Sequence, residues 1–143
     1  GKLQTNKAKK AVKLFDYIHS LDNEKLALKL SAHQSDVKKK IKLFIQVNIG
    51  NENQKSGIGL NELNDFYNYC HEELSLEVIG LMCLPPVNSD SNQYFKILKE
   101  NAEKLNLKEL SMGMSGDYQN AILTGSTYVR LGTLILGERI LSN

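Results

Sequence analysis

The chain has 143 residues, 41% hydrophobic and 24% charged, the balance of one globular unit spanning residues 1–143. A net charge of +2 supplies no global basic field for nucleic acid, and no apolar run reaches membrane-spanning length. The polar, lysine-rich start is not a signal sequence, and Cys70 and Cys83 sit in apolar patterns without metal-like spacing, as reduced core thiols of a cytoplasmic protein do.

Lys7, Lys9, Lys10, Lys13 and Lys38 to Lys40 crowd the N-terminal third and read as a solvated basic face. Ala8, Ala11, Val12 and Phe15 recur at helical spacing and predict a helix from about Lys7 to Phe15, capped by Thr5 or Asn6. A short strand is expected over 16–20. Asp22 or Asn23 then opens a helix with Leu26, Leu30 and His33 on one side. His19 and His33 have no carboxylate or cysteine at ligand spacing and are read as structural.

The clearest strand covers 41–49, where Ile41, Leu43, Ile45, Val47 and Ile49 alternate with Lys42, Phe44, Gln46 and Asn48. In a barrel, Gln46 and Asn48 point inward near the C-terminal end, either completing a polar layer or meeting a ligand. A polar loop follows over 50–57 and carries Lys55. Leu63, Phe66, Tyr67 and Cys70 predict a helix over 60–73, with His71 solvated beside Glu72 and Glu73. The run 76–84 is apolar nearly throughout, as a strand covered on both faces is, and Pro85-Pro86 ends it. Phe95, Leu98, Ala102 and Leu105 mark another amphipathic helix, and a strand starts at Leu110. A short helix over 117–123 is closed by Gly125 before the last strand, 127–131.

Both late strands run into loops of small residues. Ser115, Gly116, Gly132 and Thr133 bring N–H groups and hydroxyls close to an anion with little side-chain bulk. Gly132-Thr133 opens a short apolar helix whose N-terminus faces the same point, an arrangement that in parallel βα barrels holds a phosphate. Arg130, one of two arginines in the chain, lies just before that turn. The pattern predicts a site for a phosphate-bearing ligand.

Taking Ile18, Val47, Ile79, Ser111 and Val129 as strand centres gives separations of 29, 32, 32 and 18 residues, a βα repeat of parallel strands. A doubly wound sheet competes, but no Gly-x-Gly-x-x-Gly turn follows any strand. A closed barrel needs eight strands and about 250 residues. The expected fold is therefore α/β, a (β/α)8 TIM-barrel type that lacks its first strands.

Several motifs recur in fixed order: Gly1-x-Leu3-Gln4-Thr5-Asn6-Lys7, Ile18-His19-Ser20-Leu21-Asp22, Gln46-Val47-Asn48-Ile49, Glu52-Asn53-x-Lys55-Ser56-Gly57, Gly80-Leu81-Met82, Leu110 to Ser115, and Val129-Arg130-x-Gly132-Thr133. Together they resemble the pyridoxal phosphate homeostasis proteins, which share the fold of the alanine racemase N-terminal barrel. The resemblance implies binding of pyridoxal 5'-phosphate (PLP) without catalysis, and its delivery to apoenzymes that require it. It implies that Ser115, Gly132 and Thr133 hold the phosphate while Arg130 faces the pyridine nitrogen. It implies a monomer for the complete protein, with self-association open to the chain as given. The family's covalent cofactor lysine lies at the end of the first barrel strand, ahead of Gly1, and Lys2 is not that residue. Lys55 is the most interesting substitute, although no spacing in the sequence places it near the ring.

Two other classes are weighed. A racemase-like isomerase needs an acid/base on each face of its substrate, one of which racemases draw from an additional C-terminal β-domain. A barrel enzyme acting on another phosphorylated metabolite needs carboxylates or lysines at strand ends, where the chain offers chiefly Asp22 and Asn48.

Overall fold

The computed structural model describes residues 1–52 and 54–137. Five parallel strands, β1 (Tyr17–Leu21), β2 (Lys42–Val47), β3 (Glu77–Cys83), β4 (Glu109–Met114) and β5 (Tyr128–Arg130), pair in the order β1-β2-β3-β4-β5. Among the described residues no strand order reverses, so these strands have none of the switch point that a doubly wound sheet requires. Helices connect successive strands: α1 (Ala8–Leu14) precedes β1, α2 (Glu24–Val37) links β1 to β2, and α3 (Leu63–Asn68) leads to β3. Next come α4 (Ser91–Lys104), α5 (Tyr118–Thr124) and, after β5, the single turn α6 (Thr133–Leu136). This is the expected incomplete barrel, with β1 and β5 as its free edges.

The alternation read in β2 sorts the two faces. Leu43, Ile45 and Val47 join Leu26, Leu30, Phe66, Leu81, Phe95, Leu98, Leu110 and Met112 in one core between sheet and helices. Each such side chain contributes about 1.5–3 kcal/mol on full burial. Phe44 and Met82 are also buried but lie outside that cluster, on the concave face that is the barrel interior. Pairing across the sheet aligns Gln46 with Met82, Met82 with Ser111, and Ser111 with Tyr128.

Local chemistry sets the helix ends. The Asn23 side chain accepts from Leu26 N–H at 2.9 Å, as expected of a helix start, and Gly125 closes α5 at φ +111°. Four expectations are corrected. Neither Thr5 nor Asn6 caps α1; both lie in a 3₁₀ turn, Thr5–Lys7, that feeds directly into it. The first strand is shifted by one residue from 16–20. The long strand is trimmed from 41–49, because Ile41 N–H donates to the Gln34 side chain at 2.7 Å instead of a ladder. The helix expected over 60–73 is α only as far as Asn68 and continues as a π-turn, Tyr69–Glu73. That turn frees the Cys70 carbonyl to accept from Leu76 N–H at 2.9 Å, which starts the approach to β3.

Among the described residues no helix is long and apolar enough to cross a membrane, and no group of three or more His, Cys, Asp or Glu side chains is placed to hold a metal ion.

Candidate functional site

At the C-terminal ends of the strands a cleft of about 490 Å³ is lined by Gln46, Asn48, Lys55, Met82, Met114 and Arg130, with Gly1 and Lys2 at its mouth. The two inward amides of β2 are engaged with the loop that follows it. Gln46 donates to the Ser56 carbonyl at 3.1 Å. Asn48 both donates to the Glu52 carbonyl at 3.0 Å and accepts from Glu52 N–H at 3.1 Å. These bonds hold the loop beside the cleft that both amides also line. That loop delivers Lys55, paired with Glu52 at 2.5 Å and donating to the Pro85 carbonyl at 3.3 Å. Sequence spacing gives no reason to bring Lys55 near Arg130; the curl of the sheet does, because both line the same cleft.

The two small-residue loops meet. Ser115 Oγ accepts from the backbone N–H groups of Gly132 and Leu134, each at 3.3 Å. A tight turn holds Ser115 there: Met114 N–H donates to the Asp117 carboxylate at 2.7 Å, and Asp117 N–H to the Met114 carbonyl at 3.0 Å. Two N–H groups thus converge on one oxygen, at distances near the long end of hydrogen bonding. A Cβ at Gly116 or Gly132 would meet no atom within 4 Å, so open space faces these backbones. Thr133 is exposed at the start of α6. The donor set and the room beside it fit a phosphate group.

Arg130 ends β5 with its guanidinium turned inward. It donates to Ser111 Oγ at 2.6 Å and to the Cys83 carbonyl at 2.8 Å. Burial pulls its pKa below the ordinary arginine value, with Cys83 and Asp117 opposing. Ser111 Oγ lies 2.9 Å from His19 Nδ1, and the His19 ring stacks on Phe44 with centroids 4.0 Å apart. Burial, then the Arg130 charge, lowers the His19 pKa. Burial pushes the Cys83 and Cys70 thiols up to about 12, so neither is a nucleophile at neutral pH. His33 and His71 stay away from the cleft, the first against Asp36 at 3.4 Å and the second stacked on Tyr67.

The structure thus brings Ser115 and Gly132 together past the ends of the adjacent strands β4 and β5, while Arg130 at the end of β5 lines the cleft beside Met114. Sequence reasoning missed Ser111, His19 and the Cys83 carbonyl behind Arg130. Their only signal is register, which sets Ser111 beside Tyr128 and Met114 beside Arg130.

The alanine racemase N-terminal domain family matches residues 1–140. The chain is 38% identical to the pyridoxal phosphate homeostasis protein of Synechocystis over 149 residues, covering 98% of the chain and 68% of that protein. It belongs to the pyridoxal phosphate homeostasis proteins. The protein of that name from Aquifex aeolicus is also 38% identical, over 97% of the chain and 65% of the relative. The chain therefore spans about two thirds of the length of these relatives. In structure it resembles PipY of Synechococcus elongatus, solved with PLP bound, with a TM-score of 0.87 and 33% identity over 96% of the chain and 68% of PipY. The family expectation and the barrel expectation are both borne out.

Proposed function

We propose that this chain is the part of a cytoplasmic PLP homeostasis protein that grips the cofactor's phosphate and faces its ring nitrogen, without turning over a substrate. The observation that carries this reading is the convergence of the Gly132 and Leu134 N–H groups on Ser115 Oγ, close to a cleft that the half-buried Arg130 side chain helps to line. The names of the relatives, pyridoxal phosphate homeostasis proteins, and the PLP held by PipY support the same ligand.

Ser115, Gly132 and Thr133 would hold the phosphate, and Arg130 would point at the pyridine nitrogen. When bound, the cofactor supplies a reactive aldehyde on a ring that can draw off electrons. Arg130 restrains the second property, because a guanidinium only donates and leaves the nitrogen it faces unprotonated. A ring held in this way suits storage and delivery to apoenzymes better than amino-acid chemistry.

Equilibrium dialysis of PLP against the chain tests the assignment. Ser115→Ala removes one hydroxyl, worth about 0.5–1.5 kcal/mol. Gly132→Val adds a β-branched side chain in the space the phosphate would fill, where a Cβ meets no atom within 4 Å, and circular dichroism checks that the variant is folded. Gly132→Val should therefore lose more retention than Ser115→Ala, and inorganic phosphate should compete with PLP. Equal retention by the two variants, or indifference to phosphate, would remove the phosphate from this turn.

A further inference from the structure

We propose that Ser111 and His19 are positioning residues that aim the Arg130 guanidinium through a directed chain of hydrogen bonds running from β5 through β4 to β1. The proposal rests on the reading that Arg130 faces the ring of the bound cofactor, and it identifies what fixes that contact.

The direction of the chain follows from donor counting. A guanidinium has no acceptor, so at 2.6 Å from Arg130 Nη1 the Ser111 oxygen accepts. Ser111 is fully buried, so its single O–H has no water to turn to. The partner within reach is His19 Nδ1 at 2.9 Å, which must present a lone pair and leave the ring proton on Nε2. The lowered His19 pKa agrees, because a neutral imidazole is the form that accepts. A protonated His19 would turn a second donor onto the same oxygen and face Arg130 with a like charge.

Both ends are braced. Arg130 Nη2 donates to the Cys83 carbonyl at 2.8 Å, which fixes the guanidinium at two nitrogens and hence its plane. His19 lies stacked on Phe44, and the Tyr128 ring meets its edge at 5.2 Å and 79°. Three side chains from three strands, with Ser111 in the middle, convert a flexible arginine into a donor of set direction.

Nitrogen-15 NMR of the ligand-free chain reads the network directly. His19 should carry its proton on Nε2 near neutral pH, and the Arg130 Nη protons should give separate, slowly exchanging signals. Ser111→Thr, which keeps the hydroxyl, should preserve both signatures, as should His19→Asn for Arg130. Ser111→Ala and His19→Phe should collapse the Arg130 signals while circular dichroism still reports a folded chain. In a parallel PLP titration, Ser111→Ala should bind about tenfold more weakly, the size of one hydrogen bond to a charged group, with Ser111→Thr restoring affinity. An Arg130 signature indifferent to Ser111→Ala, or a His19 proton on Nδ1, would overturn the proposal. If the network is intact but no variant or parent retains PLP, the functional reading falls while the aiming of Arg130 stands.

Discussion

Tyr17 on β1 and Tyr128 on β5 bring their ring centroids within 6.0 Å, although their strands are the two opposite edges of the sheet. Five strands have curled enough for their edges to meet across the concave face. Phe44 is the middle of that contact, fully buried, with Tyr128 edge-on at 5.2 Å and His19 stacked on it. Phe44→Ala should cost about 3–5 kcal/mol of stability, since it empties the layer on which the curvature closes. Urea unfolding followed by circular dichroism measures this; a loss below about 1 kcal/mol would mean the concave face is loosely packed.

Gly113 should tolerate nothing larger. Its φ is +93°, and a Cβ there would lie 2.6 Å from Ala121 Cβ and 3.1 Å from Tyr118 Cα. The glycine lets α5 press against β4 and so fixes the turn that carries Ser115. Gly113→Ala should destabilise by about 2–5 kcal/mol, combining overpacking with backbone strain. A shift of the urea midpoint no larger than that of Gly116→Ala, where space is open, would contradict this account.

Acid should weaken the fold through His19. Its folded pKa lies below the ordinary value of about 6.5, so in the window beneath 6.5 the unfolded chain binds the extra proton. The contribution is complete above that value and is lost as the pH falls through the depressed folded pKa. The groups around the ring are Ser111, Arg130, Phe44 and Tyr128; the one fixed charge among them, Arg130, acts in the same direction as burial. His19→Asn should flatten the dependence of the urea midpoint on pH within this window. Parallel curves for parent and variant would assign the acid sensitivity to other groups.

The elements that could be read from the sequence were those whose pattern is local. Strict alternation in β2 fixed both its faces, and Phe44, grouped with Lys42 and Gln46, indeed lies on the concave side. Small residues at 115, 116 and 132 marked loops with open space beside their backbones, because glycine and serine matter there through what they lack. The π-turn at Tyr69–Glu73 was not legible, since its cause is a single carbonyl, that of Cys70, engaged by the next segment. The setting of Arg130 was hidden for a related reason. Its partners at 111 and 83 are an ordinary strand serine and a backbone oxygen, and only the register between strands makes them neighbours. Lys55 was likewise placed by topology, not by its distance along the chain.

Because every strand pairs only with its neighbours in sequence, no loop of more than one βα unit has to close before a pairing is gained. Such a sheet can grow one strand at a time in the order of synthesis, each new strand finding its template already laid down. The contact of Ser115 with Gly132 joins the ends of β4 and β5, and the bonds from Arg130 through Ser111 to His19 reach back to β1, so on the proposed reading ligand affinity emerges last, after the scaffold that must bear it is already in place.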